Sequence, residues 1–446
     1  MSIPGTISFG DALRFWFKLG FISFGGPAGQ IAIMHRELVE RKRWISERRF
    51  LHALNYCMVL PGPEAQQLAT YIGWLMHGTW GGIVAGGLFV LPSLVILIAL
   101  SWIYVAFGTV PVVAGLLYGI KPAVTAIVLF AAWRIGRRTL KSTALMVLTL
   151  LAFAGIFFFN VPFPAIVLGA VILNALNNKW LPAQFSVGGH AEANITDTDA
   201  IIDDDTPTPS HARFKWSRFM AAAVTGLAMW LVAMIMLAAH SGIDGTLVQM
   251  GWFFTKAALL TFGGAYAVLP YVYQGAVEGF QWLTPQQMID GLALGETTPG
   301  PLIMVVAFVG YVGGWTKAVL GTGALFMGGA LAATVVTFFT FLPSFLFILL
   351  GGPLIETTHG QLKFTAPLTA ITAAVTGVIV NLGLFFAWKV WWPSATSLAP
   401  FGGGLEWFSM LLTVFAAVAL LRNIAGIIPI IFACGAAGVA KTMLGG

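Results

Sequence analysis

The sequence predicts an all-α polytopic membrane protein built from two homologous halves that form an inverted-topology repeat. Three observations predict it. Hydrophobic residues make up 58% of the 446-residue chain and charged residues only 9%, against about 25% charged in soluble domains, and the mean hydropathy is +0.87. A constant shift of 238 residues lays Phe15–Gln66 on Phe253–Met304 without a gap, matching Lys18 with Lys256, Phe24-Gly25-Gly26 with Phe262-Gly263-Gly264, Trp44 with Trp282 and Pro61-Gly62-Pro63 with Pro299-Gly300-Pro301. The matching loops differ in charge. Residues 35–49 carry Arg36, Arg41, Lys42, Arg43, Arg48 and Arg49, whereas 273–287 carry no Lys or Arg. Basic loops stay in the cytoplasm, so two copies inserted in opposite senses would show this bias.

Apolar runs suited to helices occur at 10–34, 50–77, 80–107, 111–133, 143–160 and 163–178, then at 217–240, 248–272, 287–313, 318–350, 366–391, 405–421 and 424–441. The expectation is 10 to 13 helical segments, some of them broken or re-entrant, since a span needs about 20 apolar residues. Residues 1–176 form the first repeat and 217–446 the inverted second repeat. Between them, 177–216 is an acidic flexible linker, placed in the cytoplasm with loop 35–49. Glu192, Asp197, Asp199, Asp203, Asp204 and Asp205 concentrate there among Ser, Thr, Pro and Gly, a composition that buries too little apolar surface to order. Arg134, Arg137, Arg138 and Lys141 mark a second cytoplasmic stretch. An even number of crossings must then separate it from loop 35–49, yet three apolar runs intervene. The run broken at Pro61-Gly62-Pro63 is the expected re-entrant pair. Residues 1–14 lack the pattern of a cleaved signal. Cys57 and Cys434, both inside apolar runs, are expected as small buried hydrophobes. The net charge of +6 resides mostly in short loops and reports orientation, so no nucleic-acid partner is expected.

The breaks carry the chemistry. Pro61, Pro63, Pro299, Pro301 and Pro27 cannot sit inside continuous helices, because proline lacks an N–H and clashes with the preceding turn. Unwound backbone at membrane depth is tolerated where it lines a cavity or is buried in protein, and a restarting helix offers N–H groups and a positive dipole end to an anion. Gly25, Gly26, Gly62, Gly263, Gly264 and Gly300 are therefore candidate binding positions, with Gln66 as a hydrogen-bond donor. Lys18 and Lys256, at equivalent places within apolar runs, are candidates for neutralising the anion, since an unpaired charge there costs at least about 2.5–3.5 kcal/mol. Glu64, Asp290 and Glu296 are candidate proton carriers, and Glu64 is also a candidate binding residue. No Walker A loop and no metal-spaced His/Cys set occurs in the sequence. No metal or cofactor is expected, and transport would draw on an ion or substrate gradient.

Phe24-Gly25-Gly26-Pro27, the basic loop ending at Trp44, Pro61-Gly62-Pro63-Glu64, and their echoes at Phe262-Gly263-Gly264 and Thr298-Pro299-Gly300-Pro301 resemble the chromate transporter (CHR) family in its long two-domain form. The resemblance covers about 10–176 and 248–441. It implies a bacterial inner-membrane transporter that exports chromate and confers resistance, with oppositely oriented halves and sulfate as a related oxyanion. Ala265 replaces Pro27, and Leu302 replaces Glu64, so the first half is expected to supply more of the site. Other readings are uptake or exchange of sulfate or another oxyanion, and a membrane-embedded enzyme acting on a lipid phosphate. The expected partners are the oxyanion and the bilayer, with room for a homodimer.

Overall fold

The computed structural model describes residues 7–24, 26–180, 200–203, 209, 211–262, 264–357, 365–395 and 399–444. Sixteen α-helices account for nearly all of them. The first half holds α1 (Phe9–Ile22), α2 (Gly26–His35), α3 (Glu47–Val59), α4 (Glu64–Phe107), α5 (Pro111–Thr139), α6 (Thr143–Phe159) and α7 (Phe163–Trp180). The second holds α8 (Trp216–Ser241), α9 (Thr246–Leu260), α10 (Ala265–Tyr273), α11 (Pro285–Thr297), α12 (Val305–Thr316), α13 (Leu325–Thr357), α14 (Thr365–Trp391), α15 (Trp407–Leu421) and α16 (Ile427–Leu444). The count exceeds the 10 to 13 segments expected because the runs at 10–34, 50–77, 248–272 and 287–313 are each more than one helix. Among the described residues, six helices are long and apolar enough to cross a membrane.

The repeat extends to fine local structure. A π-helical turn follows α2 at Arg36–Arg41 and follows α10 at Gln274–Gly279, 238 residues later. The next residues behave alike: Arg43 and Gln281 both have positive φ, and the Trp44 and Trp282 N–H groups reach back to Leu38 O and Ala276 O, each at 2.8 Å. Ser46 and Thr284 then cap α3 and α11 by accepting from the third backbone N–H. Local sequence rules thus build the same unit twice, although only the first loop carries Lys and Arg.

Both Pro-Gly-Pro breaks turn the chain back. α11 and α12 lie side by side in opposite directions, because Gly295 abuts Val305 and Gly291 abuts Phe308. In the first half, Tyr56 of α3 meets Tyr71 of α4 with ring centroids 5.9 Å apart, and Arg49 and Tyr71 bind the same Glu356 carboxylate on α13. α4 then folds over at His77–Gly78, where the backbone leaves helical geometry. Its two limbs pack closely enough that a Cβ on Gly73 would lie 2.4 Å from the Ala85 Cβ. The long limb, 79–107, runs antiparallel to α13: Trp102 meets Phe326 near one end, and Gly86 meets Phe345 nearer the other. These are the matching long helices of the two halves.

α5, 29 residues and so about 43 Å long, returns across the bundle and brings Arg137 and Arg138 back to the end that carries loop 35–49. It packs on α16 through glycines: a Cβ on Gly119 would lie 2.1 Å from Cys434 O. α6 ties to α14 through the Thr149 hydroxyl, which donates to Ala373 O at 2.7 Å. Of the linker, 181–199, 204–208 and 210 lie outside the described residues. The described piece is not a free tether: Ile201 and Ile202 donate N–H bonds to Arg43 O and Trp44 O, both at 3.1 Å, and Ser46 N–H donates to Ile202 O at 2.9 Å. This isolated parallel bridge fixes acidic-linker backbone to the basic loop.

Candidate functional site

The two breaks meet the opposite halves reciprocally. Gly62 N–H donates to Thr261 O at 2.7 Å, and Gly300 N–H donates to Ser23 O at 2.8 Å. The 238-residue shift converts one bond into the other. Ser23 and Thr261 each follow the last residue of a half-helix (α1 and α9), where carbonyls lack intrahelical partners. The glycine N–H groups satisfy them. Both glycines have left-handed φ, +123° for Gly62 and +100° for Gly300, a region closed to most L-residues.

Opposite each glycine stands a serine from the other half. A Cβ on Gly62 would lie 2.5 Å from Ser344 Oγ, and one on Gly300 2.9 Å from Ser93 Cβ. Ser93 and Ser344 are both fully buried, and neither hydroxyl has a hydrogen-bond partner among the described residues. A buried hydroxyl without a partner costs free energy, and these two stand at symmetric places with their donors uncommitted among the described residues. They belong to a second repeated motif, Leu91-Pro92-Ser93 and Leu342-Pro343-Ser344, offset by 251 residues instead of 238. That change of offset hid them from a gapless comparison.

Polar side chains around the breaks come mainly from the first half. Gln30 donates to Gly300 O at 2.5 Å and to Ser23 O at 3.3 Å. Gln67 donates to Pro61 O at 2.8 Å, and Gln66 to Thr70 Oγ1 at 3.0 Å. The Oε1 atoms of all three glutamines are buried and have no partner among the described residues. Their repeat equivalents are Val268, Val305 and Met304, so the asymmetry expected from Glu64 and Leu302 extends to this shell. Glu64 occupies the first turn of α4, where the helix dipole favours a carboxylate, and makes no hydrogen bond or ion pair among the described residues.

The other acids sit apart from this cluster or are already paired. Glu296, near the end of α11, accepts from the Tyr266 hydroxyl. Asp290, deeper along α11, accepts from Tyr104 OH at 3.0 Å and lies 3.5 Å from Lys121 Nζ, while its Oδ1 has no partner among the described residues. Gly26 and Gly264 begin α2 and α10 with φ of +71° and +98° and open space where a Cβ would be. Gly25 and Gly263 lie outside the described residues.

Lys18 and Lys256 require a correction. Neither faces the interior. The inward stripe of α1 is Ala12, Phe15, Trp16 and Leu19, and Lys18 projects from the exposed face. It lines an outer cleft with Asp11, Arg14, Glu37 and Lys42. Lys256 is likewise exposed, with Nζ 5.8 Å from the Trp252 ring centroid. A long side chain can carry its charge along an apolar surface toward water, so a position inside an apolar run does not place a lysine in the core.

Comparison with known proteins bears directly on this arrangement. The pattern of the Chromate transporter family matches residues 10–175 and 248–439, which include every element of the paired breaks. The Chromate transport protein of Pseudomonas aeruginosa is 31% identical, covering 98% of this chain and 93% of that protein. The Chromate transport protein of Cupriavidus metallidurans is 28% identical over 86% of this chain and 83% of its own length. An uncharacterized transporter of Methanocaldococcus jannaschii is 24% identical over 84% of each. No solved structure matches. The relatives are transport proteins and not enzymes, which removes the lipid-phosphate enzyme reading. With two helical repeats, paired breaks and a match across both halves, the chain belongs to the chromate transporter family.

Proposed function

We propose that the protein is a secondary transporter that exports chromate, with Gly62, Gly300, Ser93 and Ser344 at the centre of its oxyanion site. The observation that carries this reading is the reciprocal pair of breaks, each facing a buried serine hydroxyl that has no partner among the described residues. Chromate is a tetrahedral dianion that offers only acceptors. Serine hydroxyls and the first-turn N–H groups of restarting helices are donors in a positive dipole field. The names of the relatives supply the anion, and sulfate, of the same shape and charge, is the natural competitor.

The antiparallel course of α4 and α13 supports an inverted-topology repeat, in which rocking of one element against another exposes the site alternately. The excess of Lys and Arg at the end with loop 35–49, Arg137 and Arg138 supports placing that end, and the linker, in the cytoplasm of a bacterial inner membrane. Glu64 is the proton carrier in this reading. A carboxylate beside a bound dianion is disfavoured by like charge, so anion binding and proton binding at Glu64 are linked. Chromate flux into inside-out vesicles with an imposed pH gradient tests the proposal, with sulfate added as competitor. Accumulation that Ser93→Ala/Ser344→Ala abolishes, and that Glu64→Gln makes insensitive to the gradient, supports it. Accumulation confined to right-side-out vesicles, or sulfate flux without chromate flux, overturns it.

A further inference from the structure

α8 is the most loosely held of the long helices. In its apolar stretch only 6% of residues are buried, and its main packing partners are α13 and α9. Between α8, the long limb of α4 and α13 lies a groove of about 730 Å³. Ile83 and Leu91 form one wall, Phe341 and Leu349 another, and Ala222 and Thr225 on α8 leave it wide because they are small. Phe345 lines the groove and stands against Gly86, while Gln66 is not part of its lining.

One end of the groove differs from the rest. Arg213, Lys215 and Arg218 line its mouth together with His211, whose ring is anchored at 2.9 Å to Trp74 O. Arg213 and Lys215 are exposed and form no ion pair among the described residues. Beside them Trp216 stacks on Phe219 with ring centroids 5.3 Å apart and planes 10° from parallel. Trp216 is exposed, and exposed tryptophans of this kind settle at the headgroup level. From Arg218 to Met229 the groove follows α8 through 11 helical steps, about 16 Å at 1.5 Å per residue. That is about half of the roughly 30 Å hydrocarbon thickness, the depth of a single leaflet.

We infer that this groove is a binding site for one anionic phospholipid, with the acyl chains against α4, α8 and α13 and the phosphate at Arg213, Lys215 and Arg218. An apolar groove of leaflet depth would admit any lipid. Arg213 and Lys215, which form no ion pair among the described residues, select an anionic headgroup. Because its walls come from both halves, the bound lipid wedges between α4 and α13, the matching long helices. The site stands independently of the chromate reading, since none of its residues belongs to the paired breaks.

Native mass spectrometry of the full-length protein, released from nanodiscs holding equal phosphatidylglycerol and phosphatidylcholine, tests it. The wild type is expected to retain one phosphatidylglycerol in preference to phosphatidylcholine. Arg213→Gln/Lys215→Gln/Arg218→Gln should cut that preference about tenfold or more, while Arg422→Gln, a cation outside the groove, should leave it unchanged. Ala222→Trp should expel the retained lipid of either class, and Ile83→Trp, on the opposite wall, should do the same if the first variant fails to fold. Equal retention of the two lipids by the wild type, unchanged retention in a folded groove-filling variant, or a co-purifying polypeptide crosslinked to Thr225→Cys in place of lipid would each overturn the assignment.

Discussion

The Gly62 N–H donates to the carbonyl of Thr261, 199 positions along the chain, and the repeat partner of that bond joins Gly300 to Ser23. Each half thus closes the broken end of a helix in the other. The glycines are required twice over, by their positive φ and by the serine that occupies the space of a Cβ. Gly62→Ala is expected to cost about 1–2 kcal/mol from backbone conformation alone, with more from displacing Ser344, and to abolish chromate flux. Gly300→Ala should behave the same way. Gly87→Ala, inside α4 with open space around it, should leave flux unchanged and thermal stability unchanged or slightly raised. Wild-type flux from Gly62→Ala would show that the breaks do not form the site.

Ser93 and Ser344 separate structural from ligand roles more sharply. Neither hydroxyl bonds to the protein among the described residues, so alanine at either place removes no fold-stabilising hydrogen bond. Thermal unfolding midpoints should stay the same or rise. A hydroxyl bonded to a charged oxyanion is worth about 1.5–3 kcal/mol, so each substitution should raise the apparent KM for chromate at least about tenfold. Unaltered KM in both single variants would remove the serines from the site.

The difference in what the sequence revealed follows from which rules act locally. Proline and glycine restrict backbone conformation wherever they occur, so the breaks at 61–63 and 299–301, and the re-entrant course of the first, could be read from composition and loop charge. The direction faced by Lys18 is carried by a narrower signal: Asp11, Arg14 and Lys18 recur at i, i+3 and i+7 and share the exposed face of α1, a polar stripe that the surrounding apolar run obscures. Ser93 and Ser344 escaped because the repeat changes offset between the Pro-Gly-Pro and Leu-Pro-Ser motifs. The Arg49–Glu356 pair spans 307 residues, and no periodic pattern relates partners so far apart.

Lys18 and Lys256 now carry the opposite expectation from the one their sequence context suggested. As exposed side chains, they can be replaced without disturbing the paired breaks. Lys18→Gln and Lys256→Gln should transport chromate at near wild-type rates, with KM within about threefold, a difference below 1 kcal/mol. Loss of transport in well-inserted Lys18→Gln protein would return the lysine to the anion pathway.

The Arg49–Glu356–Tyr71 cluster fastens the first re-entrant pair to α13. Arg49 Nη2 donates to one carboxylate oxygen at 2.5 Å and Tyr71 OH to the other, and both Arg49 and Glu356 side chains are almost fully buried. Removing one member strands a buried charge, at a cost of about 3–5 kcal/mol. Glu356→Ala should therefore unfold at much lower temperature in detergent. The double variant Arg49→Met/Glu356→Leu, which removes both charges, should recover most of the loss. Equal destabilisation of single and double variants would mean that packing, not charge, governs this junction.

At the opposite end of the bundle, Glu406 precedes α15 and accepts from Lys441 Nζ on α16 and Tyr118 OH on α5, both at 2.6 Å. The hydrogen bond from Lys441 comes first, and that from Tyr118 second, in holding the Glu406 carboxyl below its ordinary value. A depressed folded pKa contributes stability above the unfolded value of about 4.3, and that contribution disappears as pH falls through the folded value. The pair is partly exposed, so the effect is small. Thermal melts between pH 6 and 3 should decline less steeply for Glu406→Gln than for the wild type, because the variant has no proton to take up there. At pH 6 the variant should melt lower, and the two curves should converge in acid. Parallel curves across the whole range would show that the α5–α15–α16 tie does not depend on this carboxylate.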